Sequence, residues 1–507
     1  MSTSLERRIP PPLAAAGGDL AALLAGASLV FAYAPFGLGL LAVPALALLF
    51  LLWWLVPERA LRRGYAFGLG QFGAGVSWVF VSIYGYGGVN LPLSLFLTAL
   101  FVAFLALFPA AAGALAGRFG RRRGAAPALA LVFPACWVLL EWCRGWFLTG
   151  FPWLLMGYSQ LDLPLAGWAP VLGVYGVSLT VALSAGLLAA AVLAPSWRDR
   201  TWPVVAVAVL WLAGALMAGV SWTQPHGRPL KVSLLQGNIP QELKWTFELR
   251  QPTLDLYAGL TRANWDADLI VWPETALPDF YHREQDFLDG LEAEARRHGS
   301  SLLVGVLYQE PGSRRYFNSM VSLDGGRAFY HKNHLVPFTE YLPLKGALAG
   351  IVDFMNVPMS DFSAGGPDQS PLPAAGQQAG ISICYEDAFG EEVIRMLPQA
   401  TVLVNVSNDA WFGESVAPFQ HLQMARMRAL ESGRPMLRAT NTGLTAVIDA
   451  RGAVQSQAPQ FKVYALNDEV QPMRGMTPYA RSGNSVAVGA AVLMWLAGLW
   501  PGGGRKR

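Results

Sequence analysis

Ala379-Gly-Ile-Ser-Ile-Cys-Tyr-Glu-Asp387 is an apolar run of strand length that ends on a cysteine and then two acids. Short apolar runs of this kind, bounded by polar residues, read as buried β-strands. Four more recur around it, at 231–236, 269–272, 302–306 and 401–406, and helical patterns lie between some of them, at 286–298 and 419–432. Strands alternating with helices specify an α/β domain, here over residues 223–484, which is long enough to hold its own core. In such a domain reactive side chains belong at strand ends, where loops meet over the sheet.

Outside this segment the chain changes character. Of 507 residues 53% are hydrophobic and 14% charged, against about 25% charged in soluble domains, and the mean hydropathy is +0.35. Apolar runs of bilayer-spanning length fall at 13–33, 38–56, 65–84, 92–117, 125–147, 166–194, 202–221 and 485–501, so about eight transmembrane helices are expected, seven within 1–222 and one within 485–507. The first two are separated only by Ala34-Pro35-Phe36-Gly37, which predicts a tight hairpin. The N-terminal run lacks a small-residue cleavage site and reads as a retained helix.

Arginine placement orients these spans. Arg7 and Arg8, then Arg59, Arg62 and Arg63, then Arg118 and Arg121 to Arg123, then Arg198 and Arg200, and finally Arg505, Lys506 and Arg507 mark alternate connections. The intervening loops, such as 84–88, are nearly uncharged. By the positive-inside rule both termini are expected in the cytoplasm and residues 223–484 on the outer face. A net charge of +3 with arginines clustered beside apolar runs gives no basic face for nucleic acid.

Three strand-end motifs carry candidate chemistry. Trp272-Pro273-Glu274-Thr275 follows an apolar strand, so Glu274 is a candidate general base; a capping surface glutamate is the plainer alternative. In the stretch from Tyr330 to Tyr341, Lys332 could face a developing oxyanion, or be a solvated lysine at a strand edge. His331 and His334, without an accompanying carboxylate or cysteine cluster, make a weak metal motif, and no metal or cofactor is expected. Cys384 alone would be a small buried thiol, since Glu386 and Asp387 would raise its pKa; activation needs a base and a cation from elsewhere in the chain. Cys136 and Cys143 stand seven residues apart in one apolar segment, too far apart on a helix to bridge.

The order Glu274, Lys332, Cys384 and their strand-end contexts resemble the nitrilase superfamily, whose αββα sandwich is then the expected fold. More closely the whole chain is similar to the apolipoprotein N-acyltransferase family, which joins such a domain to eight membrane helices. Further matches are the segments 235–241 with Lys244-Trp245, 407–413, 420–430, 477–483 and 145–153. The resemblance implies Glu274 as general base, Lys332 stabilising the tetrahedral intermediate and Cys384 as nucleophile, with Trp245, Glu340, Tyr385 and Glu386 around the pocket. It implies a phospholipid acyl donor, a diacylated apolipoprotein acceptor and a bacterial inner-membrane setting with the catalytic domain periplasmic. One departure is Phe338-Thr339-Glu340, where the family usually has glycine in the middle, which puts the shape of that loop in question.

Two other readings stand beside this one: a membrane-tethered amidase using the same three residues with water as acceptor, and a transporter or scaffold with an inactive nitrilase-like domain. The latter needs ionisable residues in the spans; Glu141 and Arg144 are read as interfacial. Gly68-Leu-Gly-Gln-Phe-Gly73 fits a dinucleotide pattern but lies in an apolar span, so helix packing is expected of it. Residues 342–355 are unusually apolar for a loop and are expected to form a lipid-dipping lid or to pack under the domain.

Overall fold

A computed structural model describes residues 11–120, 124–341 and 361–499. The apolar segment 342–355, the arginines at 7, 8 and 121–123 and the basic tail at 505–507 lie outside the described residues. The chain divides into two compact units: Met1–Phe80, Asn90–Val220 and Asn484–Arg507 form one, Val81–Val89 and Ser221–Gly483 the other.

The first unit is helical: α1 (Pro11–Ser28), α2 (Ala42–Leu55), α3 (Ala60–Gly75), α4 (Leu91–Phe119), α5 (Phe133–Arg144), α6 (Ala169–Leu193) and α7 (Trp197–Ala218), with a C-terminal helix over Ser485–Leu499. All eight apolar runs are thus helical among the described residues. Among the described residues four stretches are long and apolar enough to cross a bilayer by themselves, Leu91–Phe119, Ala125–Arg144, Pro164–Leu193 and Trp197–Ala218, while Gly39–Leu55 and Pro57–Gly75 form a pair bent by 116°. The Ala16–Ala32 and Ser485–Leu499 segments are shorter.

Two expectations shift. The third run starts earlier than its hydropathy suggests, because Arg59, Arg62 and Arg63 all reach Asp19 of α1, at 3.1, 2.7 and 3.6 Å, and so let α3 begin at Ala60. Glu141 and Arg144, read from the sequence as interfacial, are buried within the helical unit. Arg144 donates to the carbonyls of Phe151 and Trp153 (2.5 and 2.6 Å), and Glu141 accepts from the Met156 N–H (3.0 Å). Main-chain groups cut off from water need such partners, and these two side chains supply them to an irregular segment in which Leu148, Thr149 and Leu154 have positive φ. The glycine pattern is a packing device: a Cβ on Gly68 would stand 2.7 Å from Ala106 Cα in α4, and one on Gly70 2.0 Å from Leu23 O in α1.

Among the described residues the second unit has twelve main strands: β1 (Leu230–Gln236), β2 (Leu269–Val271), β3 (Ser301–Gln309), β4 (Tyr316–Leu323), β5 (Arg327–His331), β6 (Leu372–Ala374), β7 (Gln377–Ile383), β8 (Val402–Ser407), β9 (Met436–Thr440), β10 (Ala446–Ile448), β11 (Val454–Gln457) and β12 (Tyr464–Val470). They form two six-stranded sheets, ordered β12-β1-β2-β3-β4-β5 and β11-β10-β9-β8-β7-β6. Neighbours β1-β2-β3 and β7-β8-β9 run parallel, the rest antiparallel.

Strand periodicity of two builds the layers. Leu230, Val232 and Leu234 of β1 and Ile381, Ile383, Val402, Val404 and Val406 of β7 and β8 share one core between the sheets. The opposite faces bury Leu235, Ile270, Leu302 and Val304 under α8 (Phe247–Arg262) and α9 (Gln285–His298), and Leu403, Met436 and Ile448 under α10 (Ala417–Ser432). The result is the αββα sandwich. It delivers Glu274 and Cys384 from the carboxyl ends of parallel strands in different sheets.

Candidate active site

Strand β7 stops at Ile383 and Cys384 takes φ +53°, opening a 3₁₀ turn over Cys384–Ala388. A non-glycine residue in the left-handed region persists only where its surroundings hold it. Two groups do so here: Asn405 Nδ2 (3.2 Å) and His421 Nε2 (3.2 Å) both reach the Cys384 carbonyl oxygen. Glu386, two residues on, is buried and accepts from the N–H groups of Ile383 (2.7 Å), Asn333 (2.6 Å) and His334 (3.0 Å) and from the Tyr330 hydroxyl (3.1 Å). It therefore ties the cysteine turn to the segment carrying Lys332. Burial pushes Glu386 up to about 7, against those donors.

Lys332 is 1% exposed, with Nζ 2.8 Å from Glu340 Oε1 and 3.8 Å from Glu274 Oε1. Burial works to discharge this ammonium, but Glu340, Glu274 and Cys384 more than offset it and hold its pKa above the ordinary lysine value. Glu274 also accepts from Asn318 Nδ2 at 2.7 Å. Glu340 is fixed at its other oxygen by the Val336 N–H (2.8 Å). In this loop the positive φ falls on Phe338, not on Thr339, whose hydroxyl donates to Val336 O (3.3 Å), so threonine suits the backbone it occupies.

Burial pushes the Cys384 thiol up; Glu274 and Asp409 add to this, and Lys332 and Ser407 oppose it. A thiol raised in this way needs a base within reach before it can attack. The expected effect of Glu386 and Asp387 is replaced by another, because their carboxyls point into other partners. Tyr385 packs edge-on against Phe389 (5.1 Å) and His334 (5.7 Å). His334 pairs with Glu392 (2.8 Å) and His331 faces Ser319 Oγ (2.7 Å). Trp245 is part of an exposed loop, with the Lys244 ammonium 5.6 Å from its ring.

A buried ionic cluster behind Cys384 escaped the sequence reading. Arg438 donates to Asp387 Oδ2 (3.1 Å) and Asp409 Oδ2 (3.0 Å) and also reaches Asn405; His421 bridges Asp387 (2.9 Å) and Asp409 (3.1 Å). Ser382, Asn405 and Arg438 lie in register across β7, β8 and β9, on the face that α10 covers. The one available signal was an arginine inside the apolar strand Met436-Leu-Arg-Ala-Thr440, with a histidine in the helix pattern before it.

Burial and Arg438 pull His421 down, while Asp387 and Asp409 outweigh them and leave it raised to about 9. A base raised above its unfolded value stabilises the fold fully below the unfolded pKa, near 6.5, and loses that contribution as pH rises through the folded value. The unfolding-temperature gap between wild type and His421→Gln is therefore expected to be widest below about pH 6.5 and to narrow through about pH 9. A gap constant from pH 6 to 10 would show that His421 is not held as an imidazolium.

Residues 25–187 match the model of the apolipoprotein N-acyltransferase N-terminal domain, and residues 231–472 that of carbon-nitrogen hydrolase. An apolipoprotein N-acyltransferase of Methylococcus capsulatus is 52% identical over 475 residues, 93% of each chain. This chain belongs to the apolipoprotein N-acyltransferase family. Relatives of the same name from Nitrosomonas europaea and Vibrio parahaemolyticus are 47% and 42% identical, over 94% and 98% of this chain and 96% and 99% of theirs. Family membership makes the protein an acyltransferase built on a carbon-nitrogen hydrolase domain, and its apolar helices fit a membrane protein.

Proposed function

We propose that this acyltransferase moves a fatty acyl chain from the sn-1 position of a membrane phospholipid, phosphatidylethanolamine in the first instance, to the α-amine of the N-terminal diacylglyceryl cysteine of apolipoproteins. Cys384 Sγ attacks the ester carbonyl while Glu274 takes the thiol proton. Lys332 faces the oxyanion, the C–O bond breaks, and Glu274 returns the proton to the departing glycerol oxygen, giving a lysophospholipid and a thioester. The amine then attacks the thioester, Glu274 takes its proton, and the thiol leaves, so the kinetics are ping-pong. Trp245, Glu340, Tyr385 and Glu386 shape and brace the pocket.

The observation that carries this reading is the grouping of the Cys384 thiol with a buried carboxylate and a buried ammonium at strand ends, in a chain with helices long and apolar enough to span a bilayer. The alternation of basic and uncharged connections supports a bacterial inner-membrane setting, termini cytoplasmic and residues 223–484 periplasmic. Purified enzyme with labelled phosphatidylethanolamine and a diacylated lipopeptide should form N-acyl lipopeptide. Release of free fatty acid at the same rate with and without the lipopeptide would instead indicate a hydrolase.

A further inference from the structure

The loop between Gly237 and Phe247 is bonded at its start to the segments that follow β8 and β9 and further along to the turn carrying Glu274. At its start the Asn238 N–H donates to Asn441 O (3.0 Å), Asn441 Nδ2 donates to Ile239 O (2.7 Å), and Gln241 Oε1 accepts from Asn408 Nδ2 (2.6 Å), next to Asp409 of the ionic cluster. Further along, its polarity inverts. Leu243, Trp245 and Phe247 are 46%, 39% and 85% exposed, whereas Lys244 among them is 4% exposed. Loops ordinarily do the opposite, since a buried charge must be repaid in hydrogen bonds.

The buried ammonium has a definite use. Lys244 Nζ donates to Thr275 Oγ1 (2.6 Å) and to the Glu274 main-chain oxygen (3.2 Å). That turn needs holding: Thr275 has φ +45°, unfavourable for a β-branched residue. The turn also fits tightly against β3, where a Cβ on Gly305 would stand 2.1 Å from Pro273 O and 3.0 Å from Glu274 Cα. Glu274 thus has Asn318 and Lys332 at its carboxylate and Lys244 at its backbone. Burial pulls Lys244 down to about 8, with the Glu274 carboxylate opposing.

We propose that Lys244 is the positioning residue of the base-bearing turn, setting Glu274 against Cys384 and linking that alignment to the seating of the exposed Leu243, Trp245 and Phe247, against which an acyl chain would press. The proposal rests on the acyl-transfer reading of Glu274 and Cys384. Its test is single-turnover acylation of the full-length protein in detergent, with acyl-labelled phosphatidylethanolamine and an acid quench. If the wild-type protein takes no hydroxylamine-sensitive label, the acyl-transfer reading itself fails.

With wild-type labelling established, Lys244→Met is expected to slow acylation at saturating phospholipid about 100-fold, the scale of an ångström-sized misalignment. Half-saturation should stay within about twofold of wild type, because positioning acts on the chemical step rather than on donor binding. Lys244→Arg, whose fork can reach both oxygens, should recover about tenfold of the loss. An unchanged saturating rate in Lys244→Met, or a change confined to half-saturation, overturns the proposal. If Lys244→Met does not fold, Thr275→Val decides: it removes the 2.6 Å bond with little change of shape, and a wild-type rate there overturns the proposal equally.

Discussion

Cys384→Ala is expected to form no acyl-enzyme and to lose transfer activity by a factor of about 10⁴ to 10⁶, the scale on which removal of a covalent nucleophile acts. The background left would come from lipid and amine bound side by side, with Lys332 still facing the carbonyl. The substitution should not disturb the fold. What holds position 384 at φ +53° are bonds from Asn405 and His421 to its main-chain oxygen, and alanine keeps that oxygen. The strand before it and the Glu386 bonds after it do not involve the thiol. Equal unfolding temperatures with loss of hydroxylamine-sensitive label is the expected pair of results. Label retained in Cys384→Ala would place the nucleophile elsewhere.

Arg438→Met is the second large effect, and it falls on stability first. Arg438 is fully buried and serves Asp387, Asp409 and Asn405 together. Asp409 is held below the usual carboxylate range: burial works against this, and Arg438 and then His421 overcome it. Removing the guanidinium leaves two buried carboxylates facing one imidazolium, and breaking such a group by deleting one partner costs about 3–5 kcal/mol. For a domain of this size that is a fall of roughly 6–20 °C in unfolding temperature. The Cys384 turn should loosen with it, because Asn405 would lose the donor that orients it, and Asp387 and Asp409, which hold His421, would lose theirs. Thermal unfolding in one detergent at one scan rate decides; a shift under about 2 °C would mean the cluster is dispensable to the fold.

The layers were legible because burial imposes periods. Buried strands 231–236 and 401–406 announce themselves as short apolar runs, and helices 286–298 and 419–432 as amphipathic ones, each within a few residues of the observed bounds. Strands β4, β5 and β9 to β12 were harder, because several carry polar residues on a face whose partner is another element. Arg438 looks out of place in β9 until β8 and α10 are laid beside it. Lys244 looks like a surface lysine beside an exposed tryptophan until the Glu274 turn closes over it.

Taken alone, the sequence determined the apolar helical part, the α/β segment and the order Glu274, Lys332, Cys384, since hydropathy, period and motif are properties of residues near one another along the chain. Only the tertiary structure decided which groups share a dry site. It turned Glu386 and Asp387 away from the thiol they seemed to oppose, moved Glu141 and Arg144 into the helical interior, and paired Lys244 with the turn carrying Glu274. Those outcomes depend on desolvation and on hydrogen-bond geometry, most of it between residues 9 to 53 positions apart, and neither quantity exists until the chain has folded.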